Sequence, residues 1–155
     1  MKKILINTLL LTTLTITANA YDASKAKEFE SFYAPMTQKM CAASKMFINA
    51  EDTLKLIRED KKYLLIDVRT AGENSVISIS DKNALHIELK DLFKKENLDK
   101  IPTDIPVIMV CHSGTRGIMA TMGLKQIGFK NIQVLKGGFI ALAEQNTVEN
   151  APLRP

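Results

Sequence analysis

The chain has 155 residues, 46% of them hydrophobic and 25% charged, with a net charge of +4. That length suits one compact domain with a real core and leaves little room for two. The slight basic excess implies no nucleic-acid or membrane-surface partner.

In chain order, Lys2 and Lys3 precede an apolar run from Ile4 to Ile16, and Ala18-Asn19-Ala20 then places small residues two apart. This is the pattern of a secretory signal peptide. A membrane anchor would need about 20 apolar residues, whereas this run is shorter and interrupted by Asn7, Thr8, Thr12, Thr13 and Thr15. Cleavage after Ala20 is therefore expected, making residues 1–20 the signal and placing the mature chain in the periplasm with no stable membrane association. The signal takes two lysines and no acids with it, so the net charge falls from +4 to +2.

Residues 21–45 read as an N-terminal helical extension. Phe29, Phe32 and Tyr33 recur at near-helical spacing, Pro35 interrupts, and a second short helical stretch carries Cys41. The domain proper is expected over 46–146. It opens with a brief strand at Met46 to Ile48, then a helix bearing Leu54, Leu56 and Ile57, with Asn49 and Asp52 as a capping pair. Tyr63 to Ile66 is a buried strand. The polar stretch Thr70 to Asn83 reads as a loop with Glu73 solvated, followed by a short strand at Ala84 to Ile87 on which His86 faces outward. Leu89, Leu92 and Phe93 suggest a further helix. Pro106 to Val110 is a buried strand, Arg116 to Ile127 a helix stopped by Gly128, and Ile132 to Leu135 another strand. Residues 147–155 form a loosely held tail. Strands alternating with helices predict an α/β fold with a mainly parallel sheet and right-handed crossovers.

Ligands in such sheets collect at the carboxyl ends of the strands, and Cys111 directly follows the apolar strand Val107 to Val110. Cys111, His112, Ser113, Gly114, Thr115 and Arg116 then lead into a helix, so successive backbone N–H groups can curl around a central anion. That anion can be the Cys111 thiolate itself, which the helix terminus and the guanidinium favour. Gly114 permits a positive φ where the loop turns. Ser113 and Thr115 offer hydroxyl donors, and Arg116 either holds the loop closed or binds an anionic donor. The cysteines and histidines, only Cys41, Cys111, His86 and His112, have none of the paired spacings of metal sites, so neither zinc nor another cofactor is expected. Cys41 has three open readings: packing under the extension, pairing with Cys111, or resolving a persulfide formed there.

Three segments together resemble the rhodanese-like sulfurtransferases, and in particular their single-domain exported members. They are Leu64-Leu65-Ile66-Asp67-Val68-Arg69, Cys111-His112-Ser113-Gly114-Thr115-Arg116-Gly117, and Gly128-Phe129-Lys130-Asn131-Ile132 followed by Leu135-Lys136-Gly137-Gly138-Phe139. The resemblance implies that Cys111 takes a sulfane sulfur from a thiosulfate- or polysulfide-type donor, becomes a persulfide, and passes the outer sulfur to a thiol or cyanide-like acceptor, which can be a protein. It also implies that the backbone from His112 to Gly117 forms the substrate cradle, that Arg116 closes it, and that Asp67 and Arg69 support the loop from the neighbouring strand end. Four residues separate Cys111 from Arg116. The cysteine phosphatases have five, so this cradle is too tight for a phosphate ester.

The chain departs from the family pattern in places. Ser78-Ile79-Ser80-Asp81-Lys82-Asn83-Ala84 stands where many members have Gly-His-Ile-Pro-Gly-Ala, and Leu142 stands where the Gly-Gly segment is often followed by tryptophan. Both departures bear on substrate preference more than on fold. The competing reading is a non-catalytic binding or thiol-redox module that keeps the fold. The retention of Cys111 together with Gly114 and Arg116 favours transfer.

Overall fold

In a computed structural model of the protein, residues 20–149 are described. The signal peptide predicted over residues 1–20 thus falls almost wholly outside them, as do the last six residues of the tail.

The chain divides into two units, residues 1–38 and 39–155. In the first, α1 (Ala23–Tyr33) starts where the Asp22 carboxylate accepts the N–H groups of Ser24 and Lys25, satisfying two of the donors a helix start leaves open. Phe29 stacks on Tyr33, which meets Phe32 edge-on. Helix α2 (Gln38–Ala43) crosses the division and carries Cys41.

The second unit is built on five strands: β1 (Phe47–Ile48), β2 (Leu64–Asp67), β3 (Ala84–His86), β4 (Val107–Val110) and β5 (Ile132–Leu135). They form one sheet in the order β1-β5-β4-β2-β3, every pairing parallel. Its helices are α3 (Ala50–Arg58), α4 (Ala71–Val76), α5 (Lys95–Leu98), α6 (Thr115–Gln126) and α7 (Gly138–Gln145), with a single 3-10 turn at Leu89–Asp91. Asn49 caps α3 by accepting the Asp52 N–H, as the spacing predicts.

An all-parallel sheet must be covered on both faces, and the alternation of side chains along its strands sorts the core into two clusters. Ile66, Val107 and Met109 point into one, with Val68, Cys111 and the α6 residues Ala120 and Leu124. Leu65, Ile108 and Val110 point into the other, with Leu54 of α3 and Leu142 of α7. Complete burial of an aliphatic side chain such as Ile108 contributes about 1.5–3 kcal/mol. Because Cys111 is next after Val110 and keeps the alternation, its side chain lies on the α6 side of the sheet.

Two expectations change. The stretch Thr70 to Asn83 is not simply a loop, for it contains α4, a helix with few apolar residues that is held at its start by a capping box. The Thr70 hydroxyl accepts the Glu73 N–H while the Glu73 carboxylate accepts the Thr70 N–H. The helix suggested by Leu89, Leu92 and Phe93 is only a 3-10 turn, after which α5 begins at Lys95.

Candidate functional site

The candidate loop leaves the carboxyl end of β4 and closes at the first turn of α6. Cys111 is 1% exposed, and its Sγ accepts the backbone N–H of Gly114 at 3.1 Å and of Gly117 at 3.4 Å. Two backbone N–H groups thus face the sulfur, while the side chains of His112, Ser113 and Thr115 are exposed. Gly114 has φ +114 and is the N-cap of α6. That left-handed conformation turns the chain back over the sulfur at a position where a Cβ would be strained.

The outer side of the loop is fastened by α7. Phe139 donates its N–H to the Cys111 carbonyl at 2.7 Å, and Ile140 donates to that of His112 at 3.2 Å. With these carbonyls turned outward onto a helix start, the N–H groups further along the loop are free to face the sulfur. The sequence singles out Gly137 and Gly138 as a segment but gives no sign of this attachment, since it joins residues that only the folded sheet brings together.

Asp67 and Arg69 form a buried pair at the end of β2. Arg69 Nη2 lies 2.6 Å from Asp67 Oδ2, its Nε donates to both carboxylate oxygens, and Nη2 also donates to the Ile77 carbonyl at 2.8 Å. The guanidinium stacks over the Phe139 ring at 4.4 Å from its centroid. The pair therefore reaches the loop through Phe139, the residue whose N–H holds the Cys111 carbonyl. His86, half-buried on β3, joins the same end of the sheet with Nε2 2.9 Å from the Arg69 carbonyl oxygen, so it is engaged with the backbone rather than simply facing outward.

Arg116 is committed to a partner that the sequence reading treats as solvated. Its Nη1 and Nη2 each donate to Glu73 at 2.6 Å, a bidentate pair with the two side chains 31% and 33% exposed. Glu73 Oε2 also accepts the Thr70 N–H at 3.0 Å and hydroxyl at 2.9 Å. The Arg116 hydrogen bonds, and after them those of Thr70, hold the Glu73 carboxyl far below the usual carboxylate range. The same carboxylate raises the pKa of Arg116. A guanidinium has five N–H donors, and this pairing uses two of them.

Cys41 is exposed and Cys111 buried, both as free thiols. Exposed Cys41 is not the packed residue that the first of its three readings, packing under the extension, requires. A cavity of about 520 Å³ lies over the second core cluster, lined by Leu54, Ile57, Ile77, Phe139 and Leu142 among others. None of the loop residues 111–117 lines it, and it meets the site at Phe139 and at Ile77, whose carbonyl accepts from Arg69 Nη2.

Comparison with known proteins fits this geometry. The model of the rhodanese-like domain matches residues 49–145. A sulfurtransferase of Allochromatium vinosum is 30% identical over 105 residues, covering 68% of this chain and 94% of that protein. The chain spans only 30% of a longer Mycobacterium tuberculosis relative, 27% identical and named for both adenylyltransferase and sulfurtransferase. Among solved structures, a rhodanese-related protein from Thermoplasma volcanium superposes with a TM-score of 0.54 at 30% identity, covering 63% of this chain and 90% of the other. The match of the family model over most of the sheet and its helices, the sulfurtransferase relative covered almost end to end and the parallel fold agree: the chain belongs to the rhodanese-like domain family.

Proposed function

We propose that the protein is a sulfurtransferase or sulfur carrier in which Cys111 accepts a sulfane sulfur as a persulfide and hands it to a thiophilic acceptor. The observation that carries this reading is the pair of backbone N–H groups on Sγ at the start of α6. Those donors stabilise negative charge on sulfur without a proton being supplied, which suits first a thiolate nucleophile and then the terminal sulfur of a persulfide. In the loading step the Cys111 thiolate attacks the outer sulfur of the donor, that sulfur's bond to the rest of the donor breaks, and the remainder leaves with the electron pair. In the transfer step a thiolate or cyanide attacks the outer sulfur and Cys111 leaves as thiolate. Neither step needs an added oxidant or reductant. Thiosulfate and polysulfides are the donor types to try. The signal-like sequence of residues 1–20 supports a periplasmic setting for this chemistry, which N-terminal sequencing of exported protein, expected to begin at Tyr21, would check.

Intact-mass analysis after exposure to thiosulfate or polysulfide, with and without cyanide, tests the proposal. Wild-type protein should gain the mass of one sulfur atom and lose it to cyanide as thiocyanate. Cys111→Ser should do neither while keeping its circular dichroism. Cys41→Ser should behave as wild type, because exposed Cys41 lies outside the cradle. Loading and transfer that persist in Cys111→Ser would sink the assignment, and an unmodified wild type with every donor would favour a binding or thiol-redox module instead.

A further inference from the structure

The Glu73–Arg116 pair fastens the last side chain of the proposed sulfur loop, which interacts electrostatically with Cys111, and so bears on which donor can react there. Residues 111–117 contain a single cationic side chain, Arg116, with no lysine or second arginine beside it. That cation is gripped through two 2.6 Å hydrogen bonds by Glu73. The carboxylate is in turn fixed by the Thr70 N–H and hydroxyl, so it cannot swing away without opening the capping box of α4. The loop's own arginine is therefore already compensated by a carboxylate that the fold holds in place.

This matters because donors differ in the charge they bring to the thiolate. With thiosulfate the step is Cys–S⁻ + S–SO₃²⁻ → Cys–S–S⁻ + SO₃²⁻, in which three negative charges gather at the loop. With a hydropersulfide it is Cys–S⁻ + R–S–S–H → Cys–S–S–H + R–S⁻, in which only one does. To meet thiosulfate, Arg116 would have to leave Glu73, and the carboxylate would then face a dianion. A donor that arrives uncharged needs no such exchange.

We propose that Glu73 is a specificity-determining residue: by neutralising Arg116 it disfavours dianionic thiosulfate and leaves the site suited to donors that carry sulfane sulfur as an uncharged hydropersulfide. The inference rests on Cys111 being the sulfur acceptor and names the donor class for that same site.

The experiment compares second-order rates of sulfur loading onto the full chain, followed by quenched intact mass, with thiosulfate and with 2-hydroxyethyl hydropersulfide, whose carbon skeleton carries no charge and which donates from its neutral –SSH form, as probes. Glu73→Gln keeps an acceptor for Thr70 and for Arg116, as glutamine does in a capping box, but removes the compensating charge. The variant should load from thiosulfate at least about tenfold faster than wild type and from the hydropersulfide within about threefold of it, the scale on which charge steering acts. Equal changes with both donors, or slower loading from thiosulfate, would overturn the proposal. Salt dependence of the wild type gives a test that needs no variant. Raising ionic strength from about 100 to about 500 mM, where the screening length is about 10 Å or less and the basic charge of the whole chain hardly reaches the loop, should leave thiosulfate loading flat or faster, because Glu73 compensates the loop's own cation. A severalfold fall would show a positive entrance and overturn the role given to Glu73. A wild type that loads from neither probe refutes the sulfur-carrier reading itself and this inference with it, whereas one that loads with the wrong salt response refutes only the selection by Glu73.

Discussion

At Gly138 the backbone has φ +62, and a Cβ built there would run into the carbonyl oxygens of Cys111 and His112, the two that α7 holds. Gly114 has φ +114, but the nearest atom to a Cβ would be 3.7 Å away, an ordinary contact. The two positions separate conformational strain from collision. Gly114→Ala should cost about 1–3 kcal/mol, the strain of a left-handed non-glycine residue, and weaken loading by displacing one N–H donor. Gly138→Ala adds a backbone clash with no flexible side chain to yield, so in urea unfolding it should lose more stability than Gly114→Ala. The Asp67–Arg69 pair gives a second contrast at this scale. Asp67→Asn leaves a guanidinium that is 3% exposed without its counter-ion, a change that typically costs about 3–5 kcal/mol. Replacing both residues with apolar ones of similar volume should recover much of that loss, yet loading should stay slow because the Phe139 ring no longer has its guanidinium partner. Full activity in the double variant would show that the pair does not support the loop.

Among the elements, α4 buries no residue and is held by polar contacts: its capping box, the bond from Arg116, 43 residues away in the chain, and at its end the bond from Arg69 to the Ile77 carbonyl. Because the folded-state pKa of Glu73 is depressed, the pair's contribution to stability is complete above the carboxyl's ordinary value of 4.5 and is lost as pH falls toward the folded value. The unfolding free energies of wild type and Glu73→Gln should therefore differ by a constant amount from about pH 6 to 8, and the gap should narrow progressively as pH falls below about 4.5. A gap as wide at pH 3 as at pH 7 would mean that the carboxylate charge is not what ties α4 to α6. This helix also marks where the sequence ceases to be readable. The strand Val107 to Val110, the glycine-containing loop and the helix behind it are local patterns, an apolar run followed by a polar turn and then a helical period, and the structure keeps them nearly in place. Helix α4 has no apolar period and looks like a loop because its anchor, Arg116, belongs to a distant segment. Helix α7 is invisible for a related reason, as its attachment to the carbonyls of Cys111 and His112 exists only once β4 and β5 are paired. Glu73 could have been noticed from its spacing of three after Thr70, which is that of a capping box.

At the scale of the whole sheet, the order β1-β5-β4-β2-β3 puts β4 at the centre, hydrogen-bonded on both sides and buried along its whole length. The edges differ from it in kind. Strand β1 is two residues long with Phe47 half exposed, and β3 is three residues of intermediate burial. Opening an edge exposes a few residues, whereas opening β4 must strip β2 and β5 from it and break both core clusters, which amounts to unfolding the unit. Amide hydrogen exchange should therefore divide along the sheet. The amides of β4 and its partners in β2 and β5 should exchange only through global unfolding, while those of β1 and β3 should exchange at least about thirtyfold faster through local opening. The functional consequence lies in where Cys111 is attached. A cradle whose donors must stay near 3.1 and 3.4 Å from one sulfur atom hangs directly from the best-held strand, so its protection should follow β4 rather than the exposed side chains around it. The Gly114 and Gly117 amides carry that argument to the site itself. If they exchange as slowly as Met109, the loop is a rigid extension of the sheet centre; if they exchange as fast as β1, the cradle opens on its own and its donors are not preorganised.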